Sequence, residues 1–234
     1  MIEALQTGVQ LDKIYLDTKA IGDEAMQIRK LATIHVVPLS FVPVVKLNSF
    51  NVTNHEGCIA QLSKVQYLNL QDIISFITEK GEAPLLLMLD GITDIRNIGG
   101  IARTAYSMGV HAIIIPDKGI GALNEDAILT SAGALEKITV CRVNSLMKAV
   151  DELHLNGIRV YATEMSAAKS FTDCNFVEPS AIVLGSEEKG IYPALMKVCD
   201  EIIKIPLAGG FESLNVSVAT GIILYEAMKQ RLVK

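Results

Sequence analysis

Residues 85–116 read LLLMLDGITDIRNIGGIARTAYSMGVHAIIIP, and this stretch decides the fold. Leu85 to Asp90 is a continuous apolar run closed by an acid. It is too short to cross a membrane and too uniform for a strand with one wet face, so it predicts a strand buried on both sides. From Asn97 to Met108 the apolar period turns helical, and Gly109 stands where such a helix would stop. Val110 to Ile115 is a second buried strand. Strand, helix and strand in that order predict a parallel pair with a helical crossover.

The alternation continues toward the C-terminus. A helix is expected over Asn144 to Leu155, capped by Asn144 or Ser145 and closed by Gly157. Strands are expected at Arg159 to Ala162, Ala181 to Leu184 and Glu201 to Ile205, a short helix at Tyr192 to Cys199, and a long last helix from Leu214 to Arg231. Residues 84–234 thus predict an α/β domain with a mainly parallel, doubly covered sheet. Toward the N-terminus, Gly81-Glu82-Ala83-Pro84 marks a boundary, and 65–83 is expected to be a linker helix with Ile73, Ile74 and Ile77 on one face. Residues 1–64 predict a small α/β domain with strands at Lys13 to Leu16, His35 to Pro38 and Cys58 to Leu62, and a helix over Asp23 to Leu31.

Composition excludes several classes. The net charge is −5, split as 7 basic and 9 acidic residues before Pro84 and 14 basic and 17 acidic from there on. Neither part can hold nucleic acid by bulk charge, so an RNA partner would be gripped by a local patch and by shape. Cys58, Cys141, Cys174 and Cys199 form no CxxC pair, and the four histidines show no ligand spacing, so no metal site is expected. Scattered thiols suit a reducing cytoplasm. Met1-Ile2-Glu3-Ala4-Leu5 carries no basic residue, so neither a signal peptide nor a membrane anchor is expected.

Ligands of open α/β sheets bind where strands end, and three strand ends are unusual. The first, Leu89 to Thr104, is a polar loop entering a glycine-rich helix start, with Gly99 and Arg103 spaced i and i+4. The bare face at Gly99 would leave room above Arg103 for something to approach. Asn97 reads equally as a plain N-cap and Arg103 as a solvated charge. The second, Leu184-Gly185-Ser186-Glu187-Glu188-Lys189-Gly190, follows a strand with two glycines, and its glutamates are either bases or surface charges. The third runs from Ile205-Pro206 through Gly209-Gly210 to Ser213-Leu214-Asn215-Val216-Ser217-Val218-Ala219. There Ser217 and Gly221 suit close helix packing, while Ser213 and Asn215 are the polar candidates. Neither GxGxxG nor GxxxxGK[ST] occurs, and there is no GxSxG elbow.

Asn97-x-Gly99-x-x-x-Arg103-Thr104, Leu184-Gly185-x-Glu187-x-x-Gly190, and Ile205-Pro206 with Ser213 to Ala219 resemble the three signature motifs of the SpoU/TrmH branch of the SPOUT methyltransferases, in the same order. The resemblance implies an S-adenosylmethionine-dependent RNA 2′-O-ribose methyltransferase whose last segment is tied in a trefoil knot, an exception to the rule against knotted chains. It also implies a homodimer. The first 64 residues resemble, more loosely, the small RNA-binding domain of the rRNA-modifying members. That domain opens with a strand, whereas Glu3-Ala4-Leu5 here follows Met1 almost at once, so either an upstream start or a missing strand is expected. In the loop after Asp94, where the family often has proline, this chain has Ile95-Arg96.

By motif, the resemblance places Arg103, Asn97, Glu187, Ser213 and Asn215 at catalytic or RNA-positioning sites, and Leu184, Gly185, Ile205, Pro206 and Leu214 around the cofactor. Arginine is an awkward base, because its guanidinium stays protonated. The expected role of Arg103 is therefore to pair with an RNA phosphate and stabilise the developing alkoxide. Asn97 and Glu187 would orient Arg103 or the ribose, and Ser213 with Asn215 would fix the knot loop. The expected substrate is structured RNA, a guanosine of 23S rRNA in preference to tRNA. The alternatives are a tRNA ribose methyltransferase, a binding protein that keeps the fold without the chemistry, and an enzyme of a small phosphorylated metabolite.

Overall fold

A computed structural model describes residues 1–210 and 213–232 and divides into two compact units, Met1–Gln66 and Tyr67–Lys234. Phe211 and Glu212, inside the third motif, lie outside the described residues.

The first unit contains α1 (Ile2–Gln6), β1 (Leu11–Asp17), α2 (Asp23–Ile34), β2 (Leu39–Val42), α3 (Val44–Asn48) and β3 (Cys58–Leu62). Its sheet has the order β2-β1-β3, with β1 parallel to β2 and antiparallel to β3. Leu11, Ile14 and Leu16 of β1 pack with Ala25, Ile28 and Ala32 of α2. The strand expected at His35 to Pro38 is absent from its place. Helix α2 runs on to Ile34, Val36 turns left-handed at φ 54°, and the Val37 amide bonds back to Ala32. Extended pairing begins only after Pro38. The valines that suggested a strand are spent on ending a helix.

The second unit contains β4 (Tyr67–Leu68), α4 (Leu70–Glu79), β5 (Leu85–Asp90), α5 (Ile95–Ser107), β6 (Ala112–Pro116), α6 (Glu125–Thr130), β7 (Thr139–Val143), α7 (Leu146–Leu155), β8 (Arg159–Thr163), β9 (Lys169–Ser170), β10 (Ser180–Gly185), α8 (Pro193–Val198), β11 (Glu201–Lys204) and α9 (Val216–Leu232). Its eight strands lie in the order β4-β7-β6-β5-β10-β8-β11-β9, and every pairing is parallel. The segment expected as a linker belongs here. Leu70, Ile74 and Ile77 of α4 are buried in the same core as Leu86 and Met88 of β5 and Ala112 and Ile114 of β6. This i, i+4, i+7 stripe makes α4 a covering helix.

Helix α5 starts two residues before the expected point. Asp94, not Asn97, is its N-cap, accepting the Arg96 amide at 2.8 Å, and Asn97 falls within the first turn. Helix α7 is capped by Ser145, whose hydroxyl takes the Lys148 amide. Helix α9 is tied down at its far end by Arg231. Its guanidinium donates to the carbonyls of Ala83 at 2.6 Å, Pro84 at 3.1 Å, Phe176 at 2.7 Å and Glu178 at 3.2 Å, where β5 and β10 begin. No described helix is long and apolar enough to cross a membrane.

Candidate active site

The carboxyl ends of β5 and β10 are neighbours, with Asp90 paired to Gly185 in register. Gly185 is dictated by geometry. A Cβ there would lie 2.1 Å from the carbonyl carbon of Gly190, because the chain folds straight back over the strand end. Ser186 and Gly190 exchange backbone hydrogen bonds of 2.9 and 3.2 Å across that turn, and Gly190 sits at φ 64°. The turn projects Glu187 toward the starts of α5 and α9.

Three expected residues meet there. Glu187 Oε1 accepts from Asn97 Nδ2 at 3.3 Å, from Asn215 Nδ2 at 2.5 Å and from the Val216 amide at 3.3 Å. Asn215 Nδ2 also donates to Asn97 Oδ1 at 2.9 Å. The Asn215 side-chain oxygen Oδ1 caps α9, accepting from the amides of Ser217 at 3.0 Å and Val218 at 3.4 Å and from the Ser217 hydroxyl. One carboxylate and two amides from segments far apart in sequence thus form a single hydrogen-bonded trio. An ionised carboxylate at the entry to a helix is also favoured by the helix dipole.

The trio borders two cavities. The first, about 440 Å³, is lined by Leu184, Gly185, Ile205, Ser213 and Leu214 with Glu187 at its edge. These are expected residues, and Ile203 and Ile223 extend the apolar wall. The second, about 690 Å³, opens on the other side of Glu187 and includes Asn97. Pro206 is exposed and lines neither cavity, so the fold does not bring it into the wall that Ile205 and Leu214 form. Arg103 is exposed on α5, lines neither cavity, and its guanidinium forms no hydrogen bond or ion pair among the described residues.

Gly99 does not leave open space beside Arg103. A Cβ there would stand 2.7 Å from Thr130 and 2.9 Å from the Ser131 amide nitrogen, so this glycine lets α5 pack against the end of α6. Gly100 similarly faces Ser217 of α9, and Gly221 of α9 faces Thr104. The small residues serve helix packing. Sequence reasoning missed Thr163, Glu164 and Met165, which line the first cavity from the end of β8. No motif marks them, but the strand-end rule, applied to β8 as well, would have found them.

A doubly covered parallel sheet with two cavities and a carboxylate-amide trio at its strand ends defines an α/β enzyme of the strand-end type. The sequence profile of the SpoU rRNA Methylase family matches residues 84–225. The chain is 36% identical over 231 residues to YacO of Bacillus subtilis (strain 168), provisionally assigned as a TrmH family tRNA/rRNA methyltransferase, covering 99% of this chain and 93% of that one. It is 40% identical over 179 residues to the 23S rRNA (guanosine-2′-O-)-methyltransferase RlmB of Vibrio parahaemolyticus, covering 76% of this chain and 72% of that one. In fold it is similar to the SpoU methyltransferase AviRb of Streptomyces viridochromogenes, crystallised with AdoMet, at a TM-score of 0.65 and 23% identity over 99% and 87% of the two chains. The chain belongs to the SpoU rRNA Methylase family.

Proposed function

We propose that this protein transfers a methyl group from S-adenosylmethionine to the 2′-hydroxyl of a guanosine in 23S rRNA, as a cytoplasmic homodimer whose final segment is knotted. The observation that carries the reading is the Asn97–Glu187–Asn215 trio standing between two cavities. One cavity suits a cofactor and the other a nucleotide.

The first cavity fits adenosylmethionine in kind. Its volume of about 440 Å³ falls within the range of drug-sized ligand pockets. Leu184, Ile203, Ile205, Leu214 and Ile223 offer an apolar wall for a purine, and the 185–190 turn brings backbone close to polar groups. When bound, the cofactor supplies a methyl group on a sulfonium, already activated for displacement. The chain's task is then to align a ribose oxygen and ease the loss of its proton. Alignment of this kind contributes roughly 7–11 kcal/mol in favourable cases. Glu187 is already held by three donors on one oxygen, which fixes its direction and leaves the other oxygen for the ribose. Asn97 and Asn215 hold Glu187, and Ser213 lines the wall beside them. Arg103 brings a permanent positive charge to an RNA phosphate and to the developing alkoxide. Its exposed position outside both cavities suits contact with a large partner, RNA or a second copy of the chain.

The small first unit would serve as the RNA-binding module, and the RlmB relative favours rRNA over tRNA as the substrate. Four unpaired cysteines agree with a reducing compartment. Calorimetry with adenosylmethionine, transfer of a tritiated methyl to total RNA, and mapping of ribose methylation in a deletion strain test the reading together. Binding without transfer would identify a fold-preserving RNA binder, and a lost mark in tRNA would overturn the rRNA assignment.

A further inference from the structure

The second cavity has a chemistry of its own. Its lining includes four carboxylates, Asp90, Asp94, Glu187 and Glu188, against a single lysine, Lys189. A phosphodiester would be repelled there, while an uncharged group rich in N–H donors would be welcome. Three of the carboxylates are engaged. Asp90 Oδ2 accepts the Tyr192 amide at 2.7 Å. Asp94 is held by Arg96 through both oxygens, at 2.8 to 3.2 Å. Glu187 Oε1 belongs to the trio. Glu188 alone forms no hydrogen bond or ion pair among the described residues, and it is exposed. The same cavity is bordered by Tyr192, an aromatic side chain left 63% exposed on a backbone pinned by Asp90.

An aromatic face with an unengaged acceptor is what a base turned out of RNA needs: a ring to stack on and a partner for its Watson–Crick edge. We propose that this cavity receives the base of the target nucleotide, with Tyr192 stacking on it and Glu188 reading it as guanine. This rests on the methyltransferase reading above and deepens it. Guanine carries two adjacent donors on that edge, N1–H and N2–H, which match the two oxygens of one carboxylate. Adenine, cytosine and uracil each place acceptors beside their donor, so they cannot satisfy both oxygens. The cavity shares Glu187 with the cofactor side. A base bound in it therefore places its own ribose at the trio.

The test uses the full chain, total RNA from the deletion strain, and transcripts of the mapped site with guanosine or inosine at the target. Inosine lacks only the 2-amino group. The wild type is expected to produce 2′-O-methylguanosine and to prefer guanosine over inosine by on the order of tenfold or more in kcat/KM. Glu188→Gln should lower kcat/KM for guanosine on the order of ten- to a hundredfold and erase the preference over inosine. Tyr192→Ala should raise KM on the order of tenfold or more, with Tyr192→Phe much less affected. Adenosylmethionine affinity should be unchanged in all three. A wild type that transfers no methyl group overturns the methyltransferase reading itself. If the wild type methylates another nucleoside, or if Glu188→Gln keeps the discrimination against inosine or loses cofactor affinity, the base pocket is wrong and the methyltransferase reading stands.

Discussion

The Asn215 side chain donates to the Asn97 oxygen at 2.9 Å across 118 positions of sequence, joining the first turn of α5 to the entry of α9. Asn215 does two things at once. Its amino group bridges to Asn97 and Glu187, and its oxygen caps a helix. Asn215→Ala should therefore cost about 1 kcal/mol of stability as a lost cap as well as activity. Asn215→Ser keeps an acceptor for the cap and loses the bridge, so it should restore most of the melting temperature but little of the methyl transfer. Asn97→Ala with Asn215→Ala should cost less than the sum of the two, since both report on one network. Additive losses would show that the trio does not act as a unit.

Arg103 gives the opposite signature. With its guanidinium unengaged among the described residues, Arg103→Ala should leave stability within about 0.5 kcal/mol of wild type. Methyl transfer should drop on the order of 10²–10³-fold, the usual loss for one charge-stabilising donor. Arg103→Lys keeps the charge but loses the planar fork, and it is the better base. Bidentate positioning predicts that Lys is nearly as poor as Ala at every pH. Single-turnover transfer between pH 6.5 and 9.5 decides it, and a Lys variant that recovers as pH rises sinks the electrostatic role.

Two glycines separate packing from ligand space. Gly99→Val should destabilise the second unit by about 1–3 kcal/mol, because α6 must yield to the new side chain. A variant of normal melting temperature but no activity would restore the idea of a substrate-facing surface at this position. Gly185→Ala forces the 186–190 turn off the strand end, since the atoms a Cβ would meet are the backbone of Gly190 and Ile191. Cofactor binding by calorimetry should fall below detection while the sheet, read by far-ultraviolet circular dichroism, stays intact.

Burial pushes the Cys141 thiol up to about 12 and those of Cys174 and Cys199 up to about 11. The folded chain thus disfavours thiolates that the unfolded chain forms more readily. The corresponding stability is fully present below about pH 8.5, the unfolded thiol value, and is lost as pH climbs through 11 to 12. Melting temperatures should fall steadily over that alkaline window. In the native protein at pH 8.5, iodoacetamide should label Cys141 far more slowly than in urea; equal rates would contradict its burial.

Where sequence reading succeeded, one local pattern had one meaning. The run at Leu85 to Leu89 could only be a strand buried on both faces, and all five residues are buried. The glycines around Glu187 left it a base or a surface charge; only the motif resemblance set it apart, and its bonds to Asn97 and Asn215 are a feature of the fold. The errors have physical causes. Asp94 and Asn97 are both good caps three positions apart, and only the path of the loop chooses between them. Gly99 did signal close approach, but its partner, Thr130, comes from a short helix that carries no motif. Val36 and Val37 have strand propensity, yet the end of α2 claims them. Glu188 carried two meanings in the sequence and Tyr192 none; what sets them apart is that the neighbouring carboxylates Asp90, Asp94 and Glu187 are engaged.

Helix α9 is held at both ends, by the Asn215 cap beside the trio and by Arg231 on the carbonyls where β5 and β10 begin. Its 17 residues make a strut of roughly 25 Å running the depth of the sheet. Such a strut has a fixed phase as well as a fixed length. Adding or removing one residue anywhere along it turns one anchor by about 100° relative to the other. Either Arg231 leaves its carbonyls or Asn215 swings away from Glu187. The helix should therefore accept many substitutions on its exposed face but almost no insertions or deletions, even far from the site, so the spacing from Asn215 to Arg231 is itself a constraint on how this chain can vary.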